Sequence, residues 1–103
     1  MEWEHAADSF AAMGSESRLR VLKTLVRAGH DGLLVGEIQE RTGIAPSTLT
    51  HHLKFLAAGD VIRQIKDGRK IRSVANFEYL HQLAHFIECE CCADVPRKAA
   101  NNG

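Results

Sequence analysis

No stretch of this 103-residue chain approaches the roughly 20 consecutive apolar residues that a membrane-spanning helix requires. The longest apolar runs, Phe10 to Met13 and Gly32 to Gly36, are a few residues each. The opening Met1-Glu2-Trp3-Glu4-His5 is acidic and lacks the basic start and apolar centre of a secretory leader, so the expected compartment is the cytoplasm, with no membrane partner. Internal repeats and low-complexity segments are missing too. So are a glycine-rich phosphate loop, a nucleophile elbow and an evident carboxylate pair, which leaves an enzyme reading without machinery. Cysteine is scarce and unevenly placed: all three, Cys89, Cys91 and Cys92, fall within four residues. An odd, clustered set does not make a disulfide framework and points to metal or thiol chemistry.

What is present is ordinary globular composition, 45% hydrophobic and 25% charged, which excludes wholesale disorder and fibrous repeats. The length allows one domain, residues 1–92, with 93–103 expected to be a disordered tail. A chain this short buries only about two-thirds of its surface, so burial against a partner would be a useful addition. The formal net charge is zero, but its distribution is not even. From Ala45 to Ala75 six basic residues face two acidic ones, net +4, whereas residues 1–44 and 76–103 each carry −2. A basic block between acidic flanks suits a segment that faces nucleic acid.

Trp3, Ala6, Ala7, Phe10 and Met13 recur near helical spacing and predict a first helix that Gly14 breaks. Ser15 caps a second helix that stops at Gly29, with Leu19, Leu22, Leu25 and Val26 as its buried stripe and Arg18, Arg20 and Lys23 mostly outside it. Asp31-Gly32 makes a turn. A short helix, Val35 to Thr42, ends at Gly43, and Pro46 or Ser47 opens another that Gly59 ends, with Leu49, Leu53 and Leu56 inward. Val61 to Ile65 and Ile71 to Ala75 are β-leaning runs joined through Asp67-Gly68, a hairpin signal with a cationic tip. Asn76 caps a last helix, Phe77 to about Cys89, and the remainder from Arg97 to Gly103 is tail.

Two short helices across a glycine-containing turn, followed by a basic hairpin, describe a mainly α, winged helix-turn-helix fold with a β-hairpin between the fourth and fifth helices. The second helix of the pair would enter the major groove of double-stranded DNA. Its open face offers Ser47, Thr48, Thr50, His51, His52 and Lys54, side chains that donate and accept at base edges or phosphates. Lys66, Arg69, Lys70 and Arg72 of the wing would act mainly through phosphates. Taken singly, each hydroxyl could serve as a helix cap and each cation as a solvated hairpin residue. His52 could equally pack against the hairpin.

These residues resemble the ArsR/SmtB metalloregulatory repressors. The resemblance rests on Val35-Gly36-Glu37-Ile38, on Gly43 through Leu56 with its Thr50-His51-His52-Leu53-Lys54 centre, on Ala58-Gly59-Asp60-Val61-Ile62, on the Asp67-Gly68-Arg69-Lys70 tip and on the opening Ser17-Arg18-Leu19-Arg20-Val21-Leu22. It covers about residues 3 to 92. It implies a homodimer through the first and last helices that represses transcription from a pseudo-palindromic operator and lets go when a thiophilic or metal inducer binds. Two recognition helices would then read half-sites about 34 Å apart.

The resemblance also directs attention to the inducer sites that such repressors use. The common arsenic site, a Cys-X-Cys at the start of the third helix, is absent, because that stretch reads Leu33-Leu34-Val35-Gly36-Glu37. The zinc-type spacing in the last helix is not matched by Glu78, His81 and His85, although His81 and His85 lie one turn apart and could hold a metal between them. Glu88-Cys89-Glu90-Cys91-Cys92 looks like an elaborated form of the Glu-X-Cys-Cys found in a subset of arsenite-responsive members. It implies arsenite, or antimonite, as inducer at Cys89, Cys91 and Cys92, because trivalent ions of this softness favour sulfur. Zinc or cadmium with His85 completing a tetrahedron, and thiol redox or persulfide sensing, are the other chemistries open to the same thiols. Glu88 and Glu90 disfavour bare thiolates but attract cations. A helix continued through them, at about 100° per residue, puts Cys89 and Cys92 on one face and Cys91 away from it. All three would then reach one ion only if the helix unwound near Glu90 to Cys92.

A metal carrier without DNA binding would leave the basic block unexplained, and a constitutive DNA-binding protein would leave the cysteines idle.

Overall fold

Local chemistry sets most of the element boundaries in the computed structural model, which describes residues 1–96. Helix α1 spans Trp3–Met13 and α2 spans Glu16–Ala28. The Ser15 hydroxyl accepts the Arg18 backbone N–H at 3.1 Å, so the sequence places this cap correctly. A 3₁₀ turn, Gly29–Asp31, leads into β1, Leu33–Leu34, and α3, Val35–Thr42, follows directly. Glu37 closes the first turn of α3 by accepting the Leu34 N–H at 2.9 Å, and Gly43 ends it in the left-handed region at φ 75°. Pro46 occupies the first position of α4, Pro46–Ala58. Strands β2, Ile62–Asp67, and β3, Lys70–Ala75, form the wing, and α5, Phe77–Glu88, closes the described fold. Asn76 caps α5 by accepting the Tyr79 N–H at 3.4 Å.

The sheet has three antiparallel strands in the order β1-β3-β2. β1 is an addition to the two strands expected: Leu33 pairs with Ser73 and Leu34 with Arg72. Gly32 makes that pairing possible, since a Cβ there would lie 2.3 Å from the Ser73 carbonyl oxygen at φ +66°. β2 and β3 also run further than the sequence suggests, from Ile62 opposite Ala75 to Asp67 opposite Lys70, which leaves a two-residue loop of Gly68 and Arg69. Gly68 alone of the two has positive φ, the pattern of a type II′ hairpin turn.

Leu22, Leu25, Ile38, Leu49, Leu53, Leu56, Val61 and Leu83 gather into one core. Two of the expected stripes are rotated. On α2 the buried residues are Val21, Leu22 and Leu25, while Leu19 and Val26 are exposed. Arg18 is half-buried instead of outside, because its guanidinium donates to the Ala12 and Ala11 carbonyls at 2.6 and 3.3 Å and so satisfies the open C-terminal end of α1. On α1 the inward residues are small, Ala6, Ser9 and Ala12. They let α1 approach Gly59 so closely that a Cβ on that glycine would sit 2.6 Å from Ala12 Cβ. The large members of the expected stripe, Trp3 and Phe10, point outward. Among the described residues no helix is long and apolar enough to cross a membrane. Of the tail expected over 93–103, residues 97–103 lie outside the described part.

Candidate nucleic-acid interface and thiol cluster

The buried side of α4 consists of leucines, so its polar side chains have nowhere to go but outward. Leu49, Leu53 and Leu56 are buried; Ser47, Thr48, Thr50, His51 and Lys54 are exposed. The Thr50 hydroxyl donates to the Pro46 carbonyl at 2.9 Å, which leaves its oxygen to accept from a ligand. His51 meets the Phe55 ring edge-on, with centroids 5.0 Å apart, and the Arg18 guanidinium lies over the same ring at 5.1 Å. Phe55 and Arg18 thus orient the His51 imidazole. The sequence reading missed both, although the His51–Phe55 spacing of four residues was the signal for one of them.

His52 departs from the rest of the expected DNA-facing set. It is half-buried, and its Nδ1 is shielded from solvent without a hydrogen-bond partner. Burial, then the neighbouring Arg18 charge and then His51, lower its pKa below the usual histidine value of 6.5. It sits half-buried in the middle of α4, near the Arg18 charge of α2 and His51 of its own helix.

The wing divides in a similar way. Lys66, Arg69 and Lys70 are exposed and have no carboxylate partner among the described residues. Arg72 is half-buried: it lies 3.6 Å from the Asp67 carboxylate across the hairpin and donates to the Asp31 carbonyl at 3.2 Å. Strand alternation puts Arg72 on the same sheet face as Asp67, away from Lys66. Arg72 staples the wing to the 3₁₀ turn, while the other three cations stay free. Thr50 and Leu53 of α4 and Gln64, Arg69, Lys70 and Ile71 of the wing line one cleft of about 620 Å³. The recognition face and the wing tip thus open onto a shared space.

The thiols lie elsewhere. Helix α5 ends at Glu88, before all three cysteines, and Cys89 is already extended at φ −58°, ψ 137°. Residues 91–94 form turns, with Glu90 and Cys92 at positive φ. The expected helical arrangement, with Cys91 facing away until a ligand unwinds the chain, is therefore not present. Acidic Glu88 and Glu90 at the negative end of the helix dipole oppose its continuation. The Cys91 and Cys92 sulfurs are 3.6 Å apart and exposed. Two sulfurs bonded to one ion at about 2.3 Å in tetrahedral geometry sit about 3.8 Å apart, so this pair fits a shared soft ion as it stands. Cys89 does not join it, because its thiol points back to the Phe86 carbonyl at 3.5 Å. It lines a recess of about 350 Å³ with His81, His85, Phe86 and Met1. Among the described residues no three His, Cys, Asp or Glu side chains are gathered closely enough to hold a metal ion.

Residues 13–65 match a family described as a helix-turn-helix domain. An HTH-type transcriptional regulator of Bacillus subtilis, YceK, is 32% identical over 83 residues, covering 80% of this chain and 82% of that protein. The solved structure of an ArsR-like transcriptional regulator from Rhodococcus superposes with a TM-score of 0.77 at 26% identity, covering 96% of this chain and 90% of the other. The AntR antimony-specific transcriptional repressor is also similar, with a TM-score of 0.61 at 26% identity over 77% of this chain and 70% of its own. Helix-turn-helix regulators of this kind bind DNA and are not enzymes. The wing, the leucine-backed recognition helix and these likenesses together place the chain in the ArsR-like family of winged helix-turn-helix transcriptional regulators.

Proposed function

We propose that the protein is a homodimeric repressor, acting in the cytoplasm, that binds operator DNA through α4 and the wing. It is released when arsenite or antimonite binds Cys89, Cys91 and Cys92. The observation that carries the inducer assignment is the 3.6 Å separation of two exposed thiols on a turn just beyond α5. To complete a three-sulfur set, Cys89 has to leave the Phe86 carbonyl and come to the pair as the ion binds. The likeness to an antimony-specific repressor supports a soft trivalent ion. The dimer is supported by α5, which buries one residue, Leu83, and leaves Ile87 68% exposed, while Trp3 of α1 is 81% exposed. Trp3 already meets Phe86 of α5 edge-on at 5.2 Å, so the two helices present one apolar face.

DNA contacts are assigned to Ser47, Thr48, Thr50, His51 and Lys54 on α4 and to Lys66, Arg69 and Lys70 on the wing. His52 and Arg72 support them from behind.

The deciding experiment is fluorescence anisotropy of DNA from upstream of the gene, with reduced protein titrated with arsenite, antimonite, zinc and cadmium. Near-stoichiometric release by arsenite or antimonite is expected. The Cys89→Ser/Cys91→Ser/Cys92→Ser variant should bind the DNA equally well and fail to respond; a normal response from it overturns the site assignment. Zinc or cadmium drawn to the thiols with His85 completing the set is the second reading, favoured by the recess that His85 and Cys89 share. Release by zinc that His85→Ala abolishes would select it.

A further inference from the structure

The sensor reading leaves open how an event at the end of α5 is felt by α4. A run of polar contacts joins the two. Asn76, which caps α5, donates its side-chain N–H to the Asp60 carbonyl at 2.9 Å, and its backbone N–H donates to the Val61 carbonyl at 2.9 Å. Three residues on, the Tyr79 hydroxyl shares a 2.6 Å hydrogen bond with the hydroxyl of Ser9, which is fully buried on α1. Ser9 also donates to the His5 carbonyl at 3.0 Å. The His5 ring lies edge-on to Tyr79 at 5.3 Å and its Nε2 meets the Asp60 carboxylate at 3.0 Å. The run therefore closes on itself, from α5 to α1 to Asp60 and back to α5.

Asp60 is where this matters. It follows α4 and Gly59 directly and precedes β2, and it holds φ +62°, a left-handed state that glycine adopts freely and that aspartate and asparagine adopt only at some cost. Such a conformation persists where its surroundings over-determine it, and here both its carbonyl and its carboxylate are held. Helix α5 is 12 residues, about 18 Å long, with Asn76 and Tyr79 at one end and the cysteines at the other. A tilt of α5 imposed at its C-terminal end is thus delivered to the joint behind the recognition helix.

We propose that His5, Ser9, Tyr79 and Asn76 are positioning residues that fix the pose of α4 by gripping Asp60, and that this grip is the route from the thiol cluster to DNA. The proposal rests on the repressor reading above and concerns its regulation. None of these side chains touches DNA in it.

Three variants test it on the same upstream DNA. Asp60→Asn keeps a side-chain acceptor for His5 and tolerates positive φ. Asp60→Gly keeps the backbone freedom but loses the acceptor, and Tyr79→Phe removes only the hydroxyl. If the grip sets the pose, Asp60→Asn binds DNA as the unaltered protein does. Asp60→Gly and Tyr79→Phe then weaken binding about tenfold, within the usual range of coupling between sites, and lose most of the inducer response. Thermal melting of Asp60→Gly should stay near that of the unaltered protein, since glycine relieves the strained backbone. Equal affinity of the Asn and Gly variants for DNA would overturn the proposal. Failure of the unaltered protein to bind would overturn the repressor reading and this with it. Failure of arsenite alone to release the unaltered protein would remove the inducer assignment, with the affinity order still deciding the grip.

Discussion

His52 and His51 are neighbours on one helix with opposite fates. His51 is exposed and steadied by Phe55, whereas His52 has a shielded ring nitrogen with no partner and a lowered pKa. A histidine that protonates less readily folded than unfolded makes the unfolded state the better proton acceptor. Stability is therefore full above the unfolded value of 6.5 and falls as pH drops below it. The melting temperature of the unaltered protein should decline between about pH 7.5 and pH 5.5, and His52→Gln should flatten that decline. An unchanged slope in the variant would show that the acid sensitivity resides elsewhere. At this scale the sequence was readable where a residue's neighbours lie on its own helix, as for Leu49, Leu53 and Leu56. It was not readable for Leu19, Val26, Trp3 and Phe10. Helical period identifies an apolar face but not whether this chain or another covers it. Arg18 was missed for a related reason, since the carbonyls it satisfies belong to a different helix.

Among the elements, the helix ends were the most legible, because Ser15, Gly43, Pro46 and Asn76 each do a local job that needs no knowledge of the fold. β1 was invisible: two residues carry no periodicity, and their pairing depends on Ser73 and Arg72 some forty positions away. The end of α5, read at about Cys89, falls at Glu88, but the turns that follow it, with Glu90 and Cys92 at positive φ, carried no glycine or proline to announce them. The junction of α1 with the end of α4 is a tightly constrained contact between helices. Gly59→Ala would place a methyl 2.6 Å from Ala12 Cβ and 3.4 Å from Ser9 Cα. It should cost about 1–3 kcal/mol in urea unfolding, the usual range for overpacking. Ala12→Gly in the same chain should recover part of the loss, less about 1 kcal/mol for glycine in a helix. No recovery would mean that backbone strain, and not this contact, sets the cost.

For the whole molecule, Trp3 and Ile87 are the most exposed large apolar side chains among the described residues, and Phe10 of α1 is exposed as well. If the proposed dimer forms through this face, the unaltered protein should sediment as a dimer and Trp3→Ser/Ile87→Ser as a monomer. The variant should also lose on the order of 100-fold in affinity for two-half-site DNA, because the second half-site is no longer held at high local concentration. An unchanged sedimentation coefficient would exclude this face as the interface. The two-residue strand β1 has a further consequence. It runs into α3 without an intervening residue and pairs with β3, so the wing and α3 are one casting. Neither can swing while the other stays. Like the fixed jaw of a calliper, α3 and the wing keep their spacing, and the joint at Asp60 behind α4 is the one left for a signal to set.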